Sequence, residues 1–311
     1  MEFRHDPVLL NEVLEWMSPK PDGVYCDGTL GGGGHSSAIL KATAGNASLY
    51  GIDRDMNAIR AASERLADFS GFHAIHGNFH DAKELLREAG APELTGVLLD
   101  LGVSSPQLDQ AERGFSYHED APLDMRMDQS KGITAAELLN TCEEKELASI
   151  IRDYGEEKWA VRIAKIICEH RQEKPFETTF DLVHAVDAAI PKNVRRKEDG
   201  HPARRTFQAI RIAVNDELKP LEQAVRDYVD LLAPGGRILI ITFHSLEDRI
   251  VKHCFKNLEN PCICPPKAPI CTCGRKPVVK VLAGGAVPPS EEEMERNPRS
   301  RSAKLRVAEK I

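Results

Sequence analysis

The chain has 311 residues, 41% hydrophobic and 29% charged, a balance that excludes a disordered, collagen-like or coiled-coil protein. Its 41 basic and 48 acidic residues give a net charge of −7. That excludes a uniformly basic nucleic-acid coat but not a local basic face. A chain of this length buries most of its apolar surface and needs no disulfide or metal to fold. The N-terminal run MEFRHDPVLLNEVLEWM is charged and lacks the apolar stretch of a signal peptide. The longest apolar run, Ile238 to Phe243, is far too short to span a bilayer. The expectation is a cytoplasmic protein with reduced thiols and no membrane partner.

The first hundred residues alternate strand and helix. Val24 to Asp27 reads as a strand running into the glycine loop Gly28 to Gly34, and a helix starts at about His35. Ser48 to Asp53 is a second strand, followed by a helix from Met56 to Ala67. Phe72 to His76 is a third strand, Ala82 to Ala89 a helix, and Gly96 to Leu101 a fourth strand. These strands are mostly apolar rather than alternating, as in a parallel sheet covered on both faces. The pattern predicts a doubly wound α/β fold.

From about Asp109 to His201 no strand pattern appears, and the stretch reads as roughly a hundred residues of helix. Capping boxes are expected at Thr134…Glu137, Thr141…Glu144 and Thr178…Asp181. A long helical pattern from Arg205 to Leu232 is broken at Pro220, and Pro234-Gly235-Gly236 leads into a strand from Arg237 to Phe243. Ser245…Asp248 reads as a further capping box, opening a helix to about Asn257. Val278 to Leu282 and Lys304 to Val307 can complete the sheet. The economical division is an α/β domain of residues 1–108 and 206–311, interrupted after its fourth strand by an all-helical insert of residues 109–205. The tail from Pro288 to Arg301 reads as a loop, ordered or mobile.

A glycine turn between the first strand and helix presents backbone N–H groups at a helix N-terminus. Gly28 to Gly33 has the glycine spacing of a nucleotide-triphosphate loop, but Gly34-His35 stand where Lys and Ser/Thr are required. Gly31-x-Gly33-x-x-Ser36 lacks the last glycine of a dinucleotide fingerprint. S-adenosylmethionine is the third option, with Asp27 before the glycines and Asp53, at the end of the second strand, for the ribose hydroxyls. Asp53 alone reads nearly as well as an N-cap of the next helix. Beyond the fourth strand, Asp100 leads into Leu101-Gly102-Val103-Ser104-Ser105-Pro106-Gln107. Ser104-Ser105-Pro106 reads equally as a plain polar turn or as a polar segment suited to methyl transfer to an exocyclic amine, which needs an oxygen to hold one N–H rather than a strong base. A covalent base-carbon methyltransferase needs a Cys nucleophile here, and none lies between Asp100 and Gln107.

The runs DGTLGGGGHS (Asp27 to Ser36), LLDLGVSSPQLD (Leu98 to Asp109), RGFSY (Arg113 to Tyr117), HPARRTFQAIRIAVNDEL (His201 to Leu218), GGRILIITFHSLEDRIVK (Gly235 to Lys252) and NPRSRSAKLR (Asn297 to Arg306) span nearly the whole chain. They resemble the RsmH/MraW family of bacterial small-subunit ribosomal RNA (cytosine-N(4))-methyltransferases. The resemblance implies a class I methyltransferase fold with a helical insert that recognises the substrate. It implies S-adenosylmethionine as donor and a cytosine in the decoding region of the small ribosomal subunit as acceptor. It places cofactor contacts on Gly33, Gly34, His35, Asp53, Phe79, Asp100 and Gln107. His35 acts there through its ring or its backbone N–H. Asp100, Ser104 and Ser105 are the candidates for holding the cytosine amine. His244 and Ser245, just beyond the fifth strand, are candidates to face the same crevice, although Ser245 reads better as a helix cap.

Lys192 to Arg211 carries seven Lys/Arg against two acids, and Met294 to Ile311 six against two. These concentrated basic segments are candidate phosphate contacts, with Arg204 and Arg205 first among them. Cys262-x-Cys264…Cys271-x-Cys273 is a compact four-thiol cluster. In a reduced cytoplasm it points to structural zinc more than to disulfides, although C-x-C is tighter than the usual C-x-x-C knuckle. A non-catalytic ribosome-assembly factor, and a methyltransferase of DNA or free RNA, stand as alternatives. The intact glycine loop, Asp53 and the Asp100 to Gln107 segment favour an enzyme over a scaffold. The oligomeric state is left open, a homodimer being one option.

Overall fold

The computed structural model describes residues 7–196, 200–265, 270 and 272–311. The chain divides into two units, Met1–Gly102 with Lys219–Ile311, and Val103–Leu218. The junctions thus fall at 102/103 and 218/219, where the sequence places them at 108/109 and 205/206.

The first unit runs α1 (Leu10–Met17), β1 (Val24–Asp27), α2 (Gly34–Ala42), β2 (Ser48–Asp53), α3 (Met56–Arg65), β3 (Phe72–His76), α4 (Ala82–Glu88) and β4 (Leu94–Asp100). The second unit holds α5 (Ser105–Asp109), α6 (Ala135–Thr141), α7 (Glu144–Gly155), α8 (Ala160–Glu173), α9 (Thr179–Ala189), α10 (Lys192–Arg195) and α11 (Arg204–Asn215). The chain then returns to the first unit with α12 (Leu221–Leu231), β5 (Leu232–Thr242), α13 (Ser245–Glu259), β6 (Val279–Val281), α14 (Glu291–Arg296) and β7 (Lys304–Lys310).

The sheet order is β3-β2-β1-β4-β5-β7-β6. β1 to β5 are parallel, and β7 pairs antiparallel with both β5 and β6. The order reverses at β1, whose neighbours are β2 and β4, so the ligand crevice of a doubly wound sheet opens at the carboxyl ends of those three strands. Asp27 ends its pairing opposite Leu98, so Asp100 stands two residues further out on β4. Leu98, Leu239, Ile241, Leu305 and Val307 are fully buried, together with Ile39 and Leu40 of α2. Burial on both faces explains the unbroken apolar runs.

The second unit has its own core, in which Leu139, Leu147, Ile151, Ile163, Leu182 and Phe207 are buried. Phe207 and Ile210 belong to α11 and face this core, which is why α11 falls within this unit. α11 packs closely on α7: a Cβ at Gly155 would lie 2.7 Å from the Arg205 carbonyl.

Several local expectations are corrected. Thr141 is the last residue of α6 and its hydroxyl donates to the Glu137 carbonyl at 2.7 Å; Glu143 is the N-cap of α7. The cap of α13 is His244, not Ser245: His244 Nδ1 accepts from Glu247 N–H, and the Glu247 carboxylate accepts from Phe243 and His244 N–H. Residues 114–134 contain no helix and are pinned instead, with the Arg113 guanidinium donating to the Arg126 and Met127 carbonyls. The break expected at Pro220 is present but longer, running from Asp216, left-handed at φ 47°, to Pro220, the N-cap of α12. β5 starts five residues before the expected Arg237. The tail is ordered, with α14 and a 3₁₀ turn at Pro298–Ser302. Among the described residues no helix is long and apolar enough to cross a membrane.

Asn215 is the clasp of the second unit. Its Oδ1 accepts from Met127 N–H at 2.8 Å, and its Nδ2 donates to the Met125 and Arg211 carbonyls at 2.7 and 2.9 Å. Removing it strands buried backbone groups. Asn215→Ala is expected to destabilise the unit by about 3 kcal/mol, read from the urea midpoint; an unchanged midpoint would contradict this.

Candidate functional site

The loop after β1 is built around one buried carboxylate. Asp27, 1% exposed, accepts from Thr29 N–H at 3.2 Å and from the Ser36 hydroxyl at 2.7 Å. Gly28 N–H donates to the Leu98 carbonyl and Leu30 N–H to the Ile52 carbonyl, stitching the loop to β4 and β2. A Cβ at Gly28 would sit 2.4 Å from the Tyr228 hydroxyl, so only glycine fits there. Gly33 caps α2 with φ 72°, a left-handed value that suits glycine. Gly32 faces open space. The chain here is wrapped tightly around Asp27 and bare on its outer side.

Asp53 reaches back to this loop. Its Oδ2 accepts from Gly31 N–H at 2.8 Å and its Oδ1 from Asp55 N–H at 2.8 Å. Burial raises its pKa, against the two N–H bonds. The cap of α3 is Asp55, whose carboxylate accepts from Asn57 N–H, so the reading of Asp53 as that cap falls.

The His35 ring is engaged within the protein. Its Nε2 lies 2.9 Å from the Val8 carbonyl and its Nδ1 3.8 Å from Asp100 Oδ2. Of the two readings of His35, the backbone N–H at the start of α2 is the one that suits a ligand. Phe79 opens a 3₁₀ turn three residues past β3, half-buried and edge-on to His80 with centroids 4.0 Å apart. Burial, with the Arg54 charge, pushes the His80 imidazole down to about 4.

Asp100 ends β4. Its N–H donates to Thr29 Oγ1 at 2.6 Å, while its Oδ1 is closed off from solvent and has no hydrogen-bond partner. Burial raises its pKa well above the ordinary carboxylate range, and the negative charges of Asp27 and Glu247 add to this. Glu247, 2% exposed, sits in the first turn of α13 with its Oε1 3.0 Å from His244 Nε2. The first unit thus gathers Gly33, Gly34, His35, Asp53, Phe79 and Asp100 on the elements that leave the carboxyl ends of β1 to β4. The donor set fits a cationic cofactor: carboxylates for positive charge, backbone N–H groups at a helix start for an anionic end.

Ser104, Ser105 and Gln107 belong to the second unit. Ser104 caps α5, and its N–H donates to Gln107 Oε1 at 3.0 Å in a capping box. Ser105 and Gln107 are buried. Arg204 and Arg205 open α11, a turn without acids, where a helix dipole disfavours cations. Three other basic residues of the two segments are committed to pairs. Arg211 forks onto Glu217 at 2.9 and 2.8 Å, Arg195 meets Asp187 at 2.7 Å, and Arg306 forks onto Asp248. The thiols of Cys262, Cys264 and Cys273 lie within 4.8 Å of one another, while Cys271 lies outside the described residues.

Sequence reasoning missed Thr29, Ser36 and Glu247, the groups that hold or crowd Asp27 and Asp100. Thr29 and Ser36 flank the glycines, and their hydroxyls were the available signal. Glu247 gave none, because an acid in a helix's first turn reads as solvated.

The sheet order, the glycine loop and the acids at the ends of β1, β2 and β4 define a Rossmann-like class I methyltransferase fold. A model of the MraW methylase family matches residues 2–311. The chain is 53% identical over 311 residues to the ribosomal RNA small subunit methyltransferase H of Clostridium botulinum (strain Kyoto / Type A2), covering all of both chains. It is 54% identical over 312 residues to the protein of that name from Clostridioides difficile (strain 630), and 52% over 313 residues to that from Heliobacterium modesticaldum, again over the full length of each. The chain belongs to the MraW methylase family.

Burial raises the Asp27 pKa from an ordinary 3.8 to about 6. Below the lower value folded and unfolded chains both hold the proton; above the higher one the folded chain carries a buried charge. Stability contributed by the protonated group is therefore lost as pH rises from about 4 to about 6. Asp27→Asn keeps an acceptor for Thr29 N–H and can donate to Ser36. Relative to it, the cofactor-free protein is expected to lose on the order of 3 kcal/mol across that window. The comparison also cancels the opposite slope from His80. Parallel stability–pH curves for the two proteins would refute the assignment.

Proposed function

We propose that the protein methylates the exocyclic amine (N4) of a cytosine in the decoding region of small-subunit ribosomal RNA, with S-adenosylmethionine as donor. The observation that carries the reading is the set of acids held at the ends of β1, β2 and β4, with the Asp100 Oδ1 unpartnered among them. Full-length relatives named for small-subunit ribosomal RNA methylation support it. The substrate puts the protein in the cytoplasm.

When bound, S-adenosylmethionine supplies an electrophilic methyl group on a sulfonium. The backbone at Gly33, Gly34 and His35 would hold its amino-acid end, Asp53 its ribose hydroxyls and Phe79 its adenine, with Gln107 a further contact. A cation beside Asp100 offsets the repulsion from Asp27 and Glu247 and favours the ionised carboxylate. Asp100 would then accept one N–H of the cytosine amine and keep its nitrogen lone pair directed at the methyl carbon. Bond formation at nitrogen, with loss of the sulfonium S–C bond to leave a neutral thioether, would release the amine proton to that carboxylate or to water. Ser104 and Ser105 are the other candidates for the amine. In-line positioning accounts for most of the rate, and no strong base is required. The target base must leave its stack to react.

The test is methyl transfer from labelled S-adenosylmethionine to small subunits lacking base methylation, with naked ribosomal RNA and DNA in parallel. N(4)-methylated cytidine in the digest of subunits is the expected result. Cofactor binding without label in any substrate would favour an assembly factor; label in DNA alone would sink the ribosomal reading.

The second unit, with Arg204 and Arg205 at the start of α11, is the proposed RNA-recognition part. Each of Arg204→Ala and Arg205→Ala is expected to weaken RNA binding and to lower the slope of log affinity against log salt by about 0.7 to 0.9. An unchanged slope in filter binding would remove these residues from the phosphate contacts. The proposal does not depend on a homodimer. A metal on the thiols of Cys262, Cys264 and Cys273 would be structural, and no step of methyl transfer runs through it.

A further inference from the structure

α13 ends at Glu259 and β6 starts at Val279. At the base of the chain between them, Val278 N–H donates to the Leu258 carbonyl at 2.9 Å, and Val281 N–H to the Glu259 carboxylate at 2.9 Å. Between these, none of the described residues from Asn260 to Val278 is buried. Ile263 and Ile270 are 66% and 75% exposed. Described residues that bury nothing contribute little hydrophobic free energy to set against their ordering entropy. The segment nevertheless brings three sulfurs together from its two arms. Cys262 and Cys264 lie on the outgoing arm and Cys273 on the returning one.

The spacing has a chemical meaning. Cys273 Sγ lies 3.8 Å from Cys262 Sγ, and the three thiols all fall within 4.8 Å. Two sulfurs bound tetrahedrally at a Zn–S distance of about 2.3 Å stand about 3.8 Å apart. A disulfide would need sulfurs at about 2 Å and would use two of the three. Thr272 N–H points at Cys264 Sγ from 3.4 Å, the backbone donation that steadies a thiolate ligand. Soft thiolates select zinc over the hard cations magnesium and calcium.

We propose that Cys262, Cys264 and Cys273 are ligands of a structural zinc ion that clasps the excursion between α13 and β6. The thiols release their protons to solvent as the metal binds, and the ion supplies a link that the exposed described residues do not. The proposal is independent of the methyl-transfer reading, since none of these residues takes part in it.

The test uses the full chain purified under reducing conditions without chelator. Elemental analysis is expected to give about one zinc per chain. After chelation, titration with Co²⁺ alone should produce thiolate-to-cobalt charge-transfer bands that Zn²⁺ abolishes. Cys262→Ser, Cys264→Ser and Cys273→Ser should each lower bound zinc at least tenfold while far-ultraviolet circular dichroism is unchanged. Cys168→Ser, in α8, should retain the full complement. Because a variant can fail for other reasons, unmodified protein is also alkylated with and without Zn²⁺, and Zn²⁺ should protect these three thiols. Metal-free protein with no cobalt spectrum would overturn the proposal. So would Ser variants that keep the metal, or peptide mapping that finds a Cys262–Cys273 disulfide under reducing conditions.

Discussion

Holding like charges out of water at the end of a sheet is the constraint around which the first unit is arranged. Asp27 is buried, Asp100 keeps one carboxylate oxygen away from solvent and without a partner, and Glu247 lies close enough to raise the Asp100 pKa. Each charge is costly to desolvate alone, and together they repel. The loop geometry follows from this cost. Thr29 and Ser36 are spent on Asp27, and Gly31 is turned so that its N–H meets Asp53. Among the described residues no Lys or Arg pairs with Asp100, whose neighbour is the His35 ring, and a cationic cofactor is the natural group to balance it.

Much of this was legible in the sequence. The four leading strands show as apolar runs because both faces of the sheet are covered, and their ends fall on Asp27, Asp53 and Asp100. The glycine run betrays the loop because crowding at Gly28 and the left-handed backbone at Gly33 admit nothing else. What failed were competitions between similar local signals. A Ser three residues before an Asp reads as a capping box, yet the preceding His244 takes that position because its ring nitrogen accepts from Glu247 N–H. The basic segments read as phosphate contacts, but charge counts do not reveal that Arg211 and Arg306 each fork onto a carboxylate. Residues 114–134 fall in a stretch that reads as helix but are not helical, because their order comes from side chains such as Arg113 and Asn215 binding backbone at a distance, which no local pattern reveals.

The two arginines that open α11 stand apart from that pattern of pairing. A helix start already attracts anions through its backbone N–H groups, so cations there cost the helix something. A sequence shaped for stability alone would place acids in that turn, as α7 and α13 do. Two arginines in that position concentrate positive potential at one spot, in a chain whose net charge is negative.

β4 and β5 lie side by side and parallel, yet more than a hundred residues separate Asp100 from Leu232. Loop-closure entropy grows only logarithmically, so this crossover costs about 2 kcal/mol more than an ordinary helical one of some twenty residues. The larger effect is kinetic. Contacts between residues so distant in sequence form late, and rates fall as such contacts come to dominate a fold. The second unit, with a core of its own closed by α11 on α7, can fold first and shorten the effective loop that β5 must close. The interruption after the fourth strand therefore governs how quickly this sheet assembles far more than how firmly it holds.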